Sequence, residues 1–177
     1  SASEPAWEFR HMDRPLFNRL HRGRGATTNP DNRYSATTCA ALDDGWGNLD
    51  APLEPLATTL TVDTSRTVIA YNDSPDVGFD RSINPYRGCE HGCVYCFARP
   101  SHAWLGLSPG LDFESRLFYK PDAPQLLKQE LAARSYRPAP IAVGINTDAW
   151  QPVERKLRIT RAVLEVLLEA KHPFSIV

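Results

Sequence analysis

Apolar positions recur in two different ways along the chain. Val153, Leu157, Thr160, Leu164, Leu167 and Leu168 fall on one stripe, with Glu154, Lys156, Arg158, Arg161, Glu165 and Glu169 mostly outside it, and this predicts an amphipathic helix over 153–171. His172-Pro173 ends it, because the residue before a proline avoids the helical region. Leu127 and Leu131, at i and i+4, predict a second helix over 123–135, with Asp122 as its N-cap and Pro124 in its first turn. Short β-branched or apolar runs predict strands instead: Thr67 to Tyr71, Ile141 to Ile145, and one beginning at Phe174. Ser82 to Tyr86 reads as a strand that leads straight into a cysteine-bearing loop, with Pro85 at its end or edge. The order strand, cysteine loop, helix, strand, loop, helix, strand predicts right-handed βαβ units and a parallel sheet, an α/β fold. The sequence stops inside a strand, and a parallel sheet needs further strands and cover on both faces. A fragment with its remaining units missing is therefore expected.

The pattern is different before Ser65. Gly, Pro, Asn and Asp interrupt the first part so often that residues 1–64 read as an irregular arm, with the α/β domain at 65–177. Trp7, Phe17 and Trp46 are the residues expected to pack this arm onto the domain. The stretch from Asn18 to Ala26 is basic and glycine-containing, either a solvated arm or one that contacts phosphates. Asp43-Asp44-Gly45-Trp46-Gly47 is an acidic turn.

Composition narrows the class. With 42% hydrophobic residues the chain can bury a core, and its net charge of −1 gives no global basic footprint for nucleic acid, though a local patch is still open. No apolar run approaches the ~18 residues of a membrane span, and no secretory h-region opens the chain. Three of the four cysteines crowd together and Cys39 stands alone. Such clustering, without an export signal, points to metal binding in a reducing, cytoplasmic setting rather than to disulfides.

The crowded residues are Cys89-Glu90-His91-Gly92-Cys93-Val94-Tyr95-Cys96. Thiolates suit zinc or iron–sulfur clusters. Structural zinc usually takes four protein ligands as two close pairs, and an ordinary 4Fe-4S site takes four cysteines. Three close thiolates leave one iron of a cluster free for a substrate or cosubstrate. Gly88 and Gly92 let the loop wrap tightly and aim N–H groups at sulfides. His91 reads as a bystander, His102 and Arg99 as groups that support the site from behind its ligands or contact substrate, and Cys39 as a lone thiol or, less simply, a redox or ligand group.

This Cys-x3-Cys-x2-Cys run, with an aromatic before its last cysteine, resembles the radical S-adenosylmethionine (radical SAM) superfamily. The longer runs Asn84 to Cys96, Ala98 to His102 and Asn146 to Glu154 are similar to the group related to spore photoproduct lyase, within a bacterial branch of it. The resemblance covers Thr67 to Val177 and, more weakly, Gly23 to Ala26. It implies a partial (β/α)6 TIM-like barrel, truncated here after about the third strand. It also implies a 4Fe-4S cluster on Cys89, Cys93 and Cys96 whose unique iron chelates S-adenosyl-L-methionine, and reductive cleavage to a 5′-deoxyadenosyl radical that takes hydrogen from a substrate. Tyr95 would lie near the adenine, and Asn146, Thr147 and Asp148 near the methionine amino group. The alternative for that loop is an N-terminal turn for the next helix, capped by Asp148 or Glu154. An electron donor of flavodoxin or ferredoxin type is implied, and a nucleic-acid substrate is suggested by analogy. The alternative function is a non-catalytic zinc or iron–sulfur module that meets nucleic acid through its basic arm.

Overall fold

The computed structural model describes residues 20, 23–34 and 55–177. Trp7, Phe17, Cys39, the acidic turn at Asp43 to Gly47 and the packing expected of them lie outside the described residues. Seven strands and four α-helices follow in chain order: β1 Thr59–Val62, β2 Ile69–Tyr71, β3 Arg81–Ile83, β4 Tyr86–Arg87, α1 Leu111–Ser115, β5 Arg116–Tyr119, α2 Ala123–Leu131, β6 Ile141–Val143, α3 Glu154–Leu157, α4 Ile159–Glu169 and β7 Phe174–Ile176. A 3-10 helix, Arg99–Leu105, stands between β4 and α1.

The strands form two small mixed sheets. One has the order β2-β3-β6-β7, with β3, β6 and β7 parallel and β2 antiparallel on the edge. Parallel neighbours in chain order, joined by segments that carry α2 and then α4, are βαβ units, as the alternation of elements predicts. β6 is buried along its whole length, which suits a continuous apolar run in a covered parallel strand. The other sheet, β1-β5-β4, pairs β1 parallel to β5 and β4 antiparallel to it. Neither β1 nor β5 is expected from the sequence, whereas Tyr86 of β4 belongs to the run read as a strand. Among the described residues the sheets do not close into a barrel.

One core spans both sheets. Leu127 of α2 and Val163 and Leu167 of α4 share it with Ile83, Ile141, Val143, Tyr86 and Leu117. Fully burying side chains of this size contributes about 1.5–3 kcal/mol each.

Five local expectations need correction. The strand over 82–86 is two strands in different sheets, because Pro85 has no N–H for a ladder and Tyr86–Arg87 pair with β5. The stretch 1–64 is not irregular throughout, since β1 lies within it and is held by pairing with β5. The single helix over 153–171 is two, because Arg158 takes a left-handed conformation (φ 52°) and breaks it. The break re-aims the buried face to Ile159, Thr160, Val163, Val166 and Leu167, and leaves Leu168 exposed. The helix over 123–135 ends at Leu131, and Asp122 makes no side-chain cap. The strand expected from Thr67, β2, begins at Ile69, because the N–H groups of Val68 and Ile69 donate to the Glu130 carboxylate (2.6 and 3.2 Å) rather than to a ladder.

Candidate functional site at the cysteine loop

The cysteine loop starts where β4 ends. Gly88 (φ 83°) turns the chain, and a Cβ there would come within 2.7 Å of the Phe113 carbonyl and of Leu117. Cys89 then donates its N–H to that carbonyl at 2.9 Å. Gly92 (φ 63°) turns the loop again between the first two thiols. Both glycines therefore have the tight-turn role read from the sequence. Cys89 is buried, Cys96 half-buried and Cys93 exposed, and all three are free thiols. Burial pushes the Cys89 thiol up, opposed by the backbone N–H groups of His91 and Asp148; the charges of Asp148 and Cys96 push it up further. Tyr95 is 87% exposed beside these thiols, flanked by exposed Val94 and Phe97.

The loop after β6 is fastened to the cysteine loop from the other side. Thr147 is buried, and its hydroxyl donates to the Gly88 carbonyl at 2.7 Å. Gln151 is fully buried; its amide donates to the same carbonyl (3.3 Å) and to the Thr147 hydroxyl (3.0 Å), and accepts from the Glu90 N–H (3.2 Å). Asn146 donates its N–H to the Asn84 side chain (2.8 Å). Asp148 keeps more freedom: one oxygen accepts from the Trp150 N–H (2.7 Å), and the other lies 3.6 Å from the His91 ring. The predicted set is thus brought together with distinct local roles: Thr147 faces inward as a fastener, and Asp148 and Asn146 remain accessible. His91 belongs to the site as a neighbour of Asp148.

The capping alternative takes a different form: α3 has no side-chain cap and Glu154 lies inside it, and the amides that donate to Glu154 belong to the helix after that. The Glu154 carboxylate accepts from the N–H groups of Thr160 (3.1 Å) and Arg161 (3.0 Å), the first turn of α4, and from the Tyr86 hydroxyl. Burial raises the Tyr86 hydroxyl above its usual range, and the Glu154 carboxylate adds to this.

Sequence reading missed the support beneath the loop. Glu114 is fully buried and accepts from the N–H groups of Gly25 (2.9 Å) and Ala26 (2.7 Å) and from Arg99. The Arg99 guanidinium donates in addition to the carbonyls of Gly92 (2.8 Å), Cys93 (2.8 Å), Pro109 (3.2 Å) and Gly110 (3.1 Å). No sequence signal set Glu114 apart, because it stands among other polar residues, Asp112, Ser115 and Arg116. Arg24, read as a candidate phosphate contact, points inward: it donates to the Glu114 carbonyl (3.1 Å), the Leu56 carbonyl (2.8 Å) and the Thr58 hydroxyl (2.9 Å).

The largest of three described clefts, about 510 Å³, lies at Asn72 to Asp80 and Ala139-Pro140, away from the cysteines. No described helix is long and apolar enough to cross a membrane.

No family model and no solved structure matches the chain. It is 38% identical over 98 residues to uncharacterised proteins of Mycobacterium tuberculosis and Mycobacterium bovis. That stretch is 55% of this chain and 29% of each relative. An uncharacterised protein of the archaeon Methanocaldococcus jannaschii is 29% identical over 83 residues, 47% of this chain and 29% of that protein. The chain therefore matches less than a third of the length of these relatives.

Proposed function

We propose that the cysteine loop holds a 4Fe-4S cluster and that the chain contributes the initiating site of a radical S-adenosylmethionine enzyme. The observation that supports this best is the fastening of two loops: Thr147 and Gln151 tie the Asn146–Asp148 turn to Gly88, so that the half-exposed Asp148 carboxylate, engaged among the described residues only by the Trp150 N–H and the His91 ring, stands by the Cys89 end of the cysteine loop. The donor chemistry fits the group. Among the described residues no three His, Cys, Asp or Glu side chains are arranged to hold a single ion. A cluster makes no such demand, because each thiolate bonds a different iron.

When bound, the cofactor pair supplies one-electron cleavage of a sulfonium and a carbon radical able to remove hydrogen. The chain's own residues do the rest. Cys89, Cys93 and Cys96 are the cluster ligands. The Asp148 carboxylate, with the Asn146 side chain beside it, accepts hydrogen bonds from the methionine ammonium. Tyr95 offers an exposed ring face for the adenine. Thr147 and Gln151 hold these groups against the cysteine loop. An electron donor of flavodoxin or ferredoxin type, a cytoplasmic setting and a nucleic-acid substrate complete the proposal. The inward engagement of Arg24 takes support from the alternative, a non-catalytic module that grips nucleic acid through its arm.

Anaerobic reconstitution with iron and sulfide tests the reading. A brown protein with about four irons per chain is expected, and dithionite with S-adenosylmethionine should then yield 5′-deoxyadenosine. Stoichiometric zinc with no iron uptake would overturn it.

A further inference from the structure

The glycine–arginine–glycine–alanine run of the arm has no part in the function proposed so far, yet it makes the closest backbone approach described for the cysteine loop. Gly25 runs directly over Gly92, the residue between the first and second thiols. A Cβ on Gly25 would lie 1.7 Å from the Gly92 carbonyl oxygen, and one on Gly92 would lie 2.4 Å from the Glu114 carboxylate. Strap, cysteine loop and carboxylate thus meet at one point, each touching the other two, with room for hydrogen only at both glycines. Further along, Thr28 and Asn29 are bonded to the far side of the same support: the Thr28 carbonyl accepts from Leu111 (3.1 Å), and the Asn29 amide spans the side chain and N–H of Asp112 (3.0 and 2.9 Å). Asn32 donates to the carbonyls of Ala103 (2.9 Å) and Leu107 (3.1 Å) in and after the 3-10 helix.

Glu114 joins these parts. Its three donors come from two places, the strap (Gly25, Ala26) and Arg99, and Arg99 in turn holds the carbonyls of Gly92 and Cys93. A buried carboxylate needs such partners, since burying a charge without them is costly. Carbonyls held from beneath by a guanidinium leave a loop few ways to rearrange, and the thiols ride on that loop.

We propose that Glu114 is a positioning residue: through the Gly25–Ala26 strap and Arg99 it locks the cysteine loop in the form in which its thiols share one iron–sulfur cluster. The inference rests on the cluster reading above and adds to it that the strap and the cluster stabilise each other. Linkage makes this reciprocal: if the docked strap favours cluster retention, the bound cluster favours the docked strap by the same factor.

The experiment uses the full chain, reconstituted anaerobically with iron and sulfide. Gly25→Ala pushes the strap off Gly92 and leaves the carboxylate intact. Glu114→Gln puts an amide donor where two N–H groups and a guanidinium need an acceptor. Both variants are expected to lose iron to a chelator about tenfold faster than the parent, a coupling within the usual range, and Glu114→Asp should recover part of the loss. A merely structural role would lower the thermal midpoint of the iron-free protein without changing iron loss at a temperature where it is folded. Amide exchange on the unsubstituted protein supplies a readout that needs no variant to fold: Gly25 and Ala26 should exchange about tenfold more slowly with the cluster in place. Equal exchange with and without cluster, or folded variants that keep iron as long as the parent, overturns the inference. A parent that takes up no iron overturns the cluster reading itself, which the variants cannot do.

Discussion

Tyr86 and Glu154 show how a single residue type can be read for one purpose and serve another. Glu154 is read from the sequence both as one of the charges outside the apolar stripe and as a cap for the next helix. In the fold it is buried and holds three donors, the Tyr86 hydroxyl and two α4 amides. Charge-assisted bonds of this kind contribute about 1.5–3 kcal/mol each. Tyr86→Phe is expected to destabilise the protein by about that much in urea unfolding, with an unchanged m-value. His102 is the second case. It is fully buried, its Nε2–H donates to the Arg116 carbonyl at 2.9 Å, and Nδ1 has no partner among the described residues. Burial lowers its imidazole below the ordinary value, so the ring stays neutral in the fold. The unfolded chain therefore binds the extra proton first as pH falls. Stability should be full above the ordinary imidazole value of about 6.5 and decline below it, by up to about 1.4 kcal/mol per pH unit. Urea midpoints measured from pH 7.5 down to about 5.5 check this, and His102→Gln should flatten the slope.

Elements were legible where one residue pattern decided them and illegible where distant partners did. β6 is a continuous apolar run, and its burial on both faces followed from that alone. α2 and most of α4 were legible in the same way, through i, i+4 leucines and a stripe. β1 and β5 were not. The Thr59–Val62 strand is exposed throughout and exists because it pairs with Arg116–Tyr119, more than fifty positions later. The 3-10 helix and α1 were not legible, since neither is long enough to carry a period. The break at Arg158 had no signal either, because arginine is not a residue that favours positive φ. Its cost is testable. Arg158→Gly removes the Cβ penalty of the left-handed region, offset by the freedom glycine loses on folding, and should raise stability by about 0.5–1 kcal/mol. Arg158→Val, β-branched at positive φ, should lower it by at least about 1 kcal/mol. Thermal midpoints of the two variants should move in opposite directions.

At the scale of the whole molecule, the candidate site is a meeting of four segments: strap, cysteine loop, α1 and the loop after β6. The cysteine spacing disclosed one of them and the Asn146–Asp148 turn a second. The other two became visible only with the fold, because their bonds run from a buried side chain to backbone amides and carbonyls, which leave no mark on sequence. The cysteine loop itself carries Tyr95 and Phe97, each more than 70% exposed. Replacing Tyr95 by Ala should therefore leave the thermal midpoint within about 0.5 kcal/mol of the parent, and weaken S-adenosylmethionine binding if the ring stacks on adenine as proposed.

The three-way contact of Gly25, Gly92 and Glu114 also sets a sequence of events in time. Gly25 and Glu114 are 89 positions apart, whereas β6, α4 and β7 are close neighbours along the chain. Chain segments that are near one another assemble first, and closures over long separations come afterwards. The clasp should thus be among the last parts to form during refolding. Pulse-labelled amides of Ala142 and Val143 are expected to gain protection before those of Gly25 and Ala26. In that interval the cysteine loop would stand on a folded platform before the strap has docked on Gly92 and Glu114; if the loop holds a cluster as proposed, iron and sulfide would meet it while its backbone can still adjust.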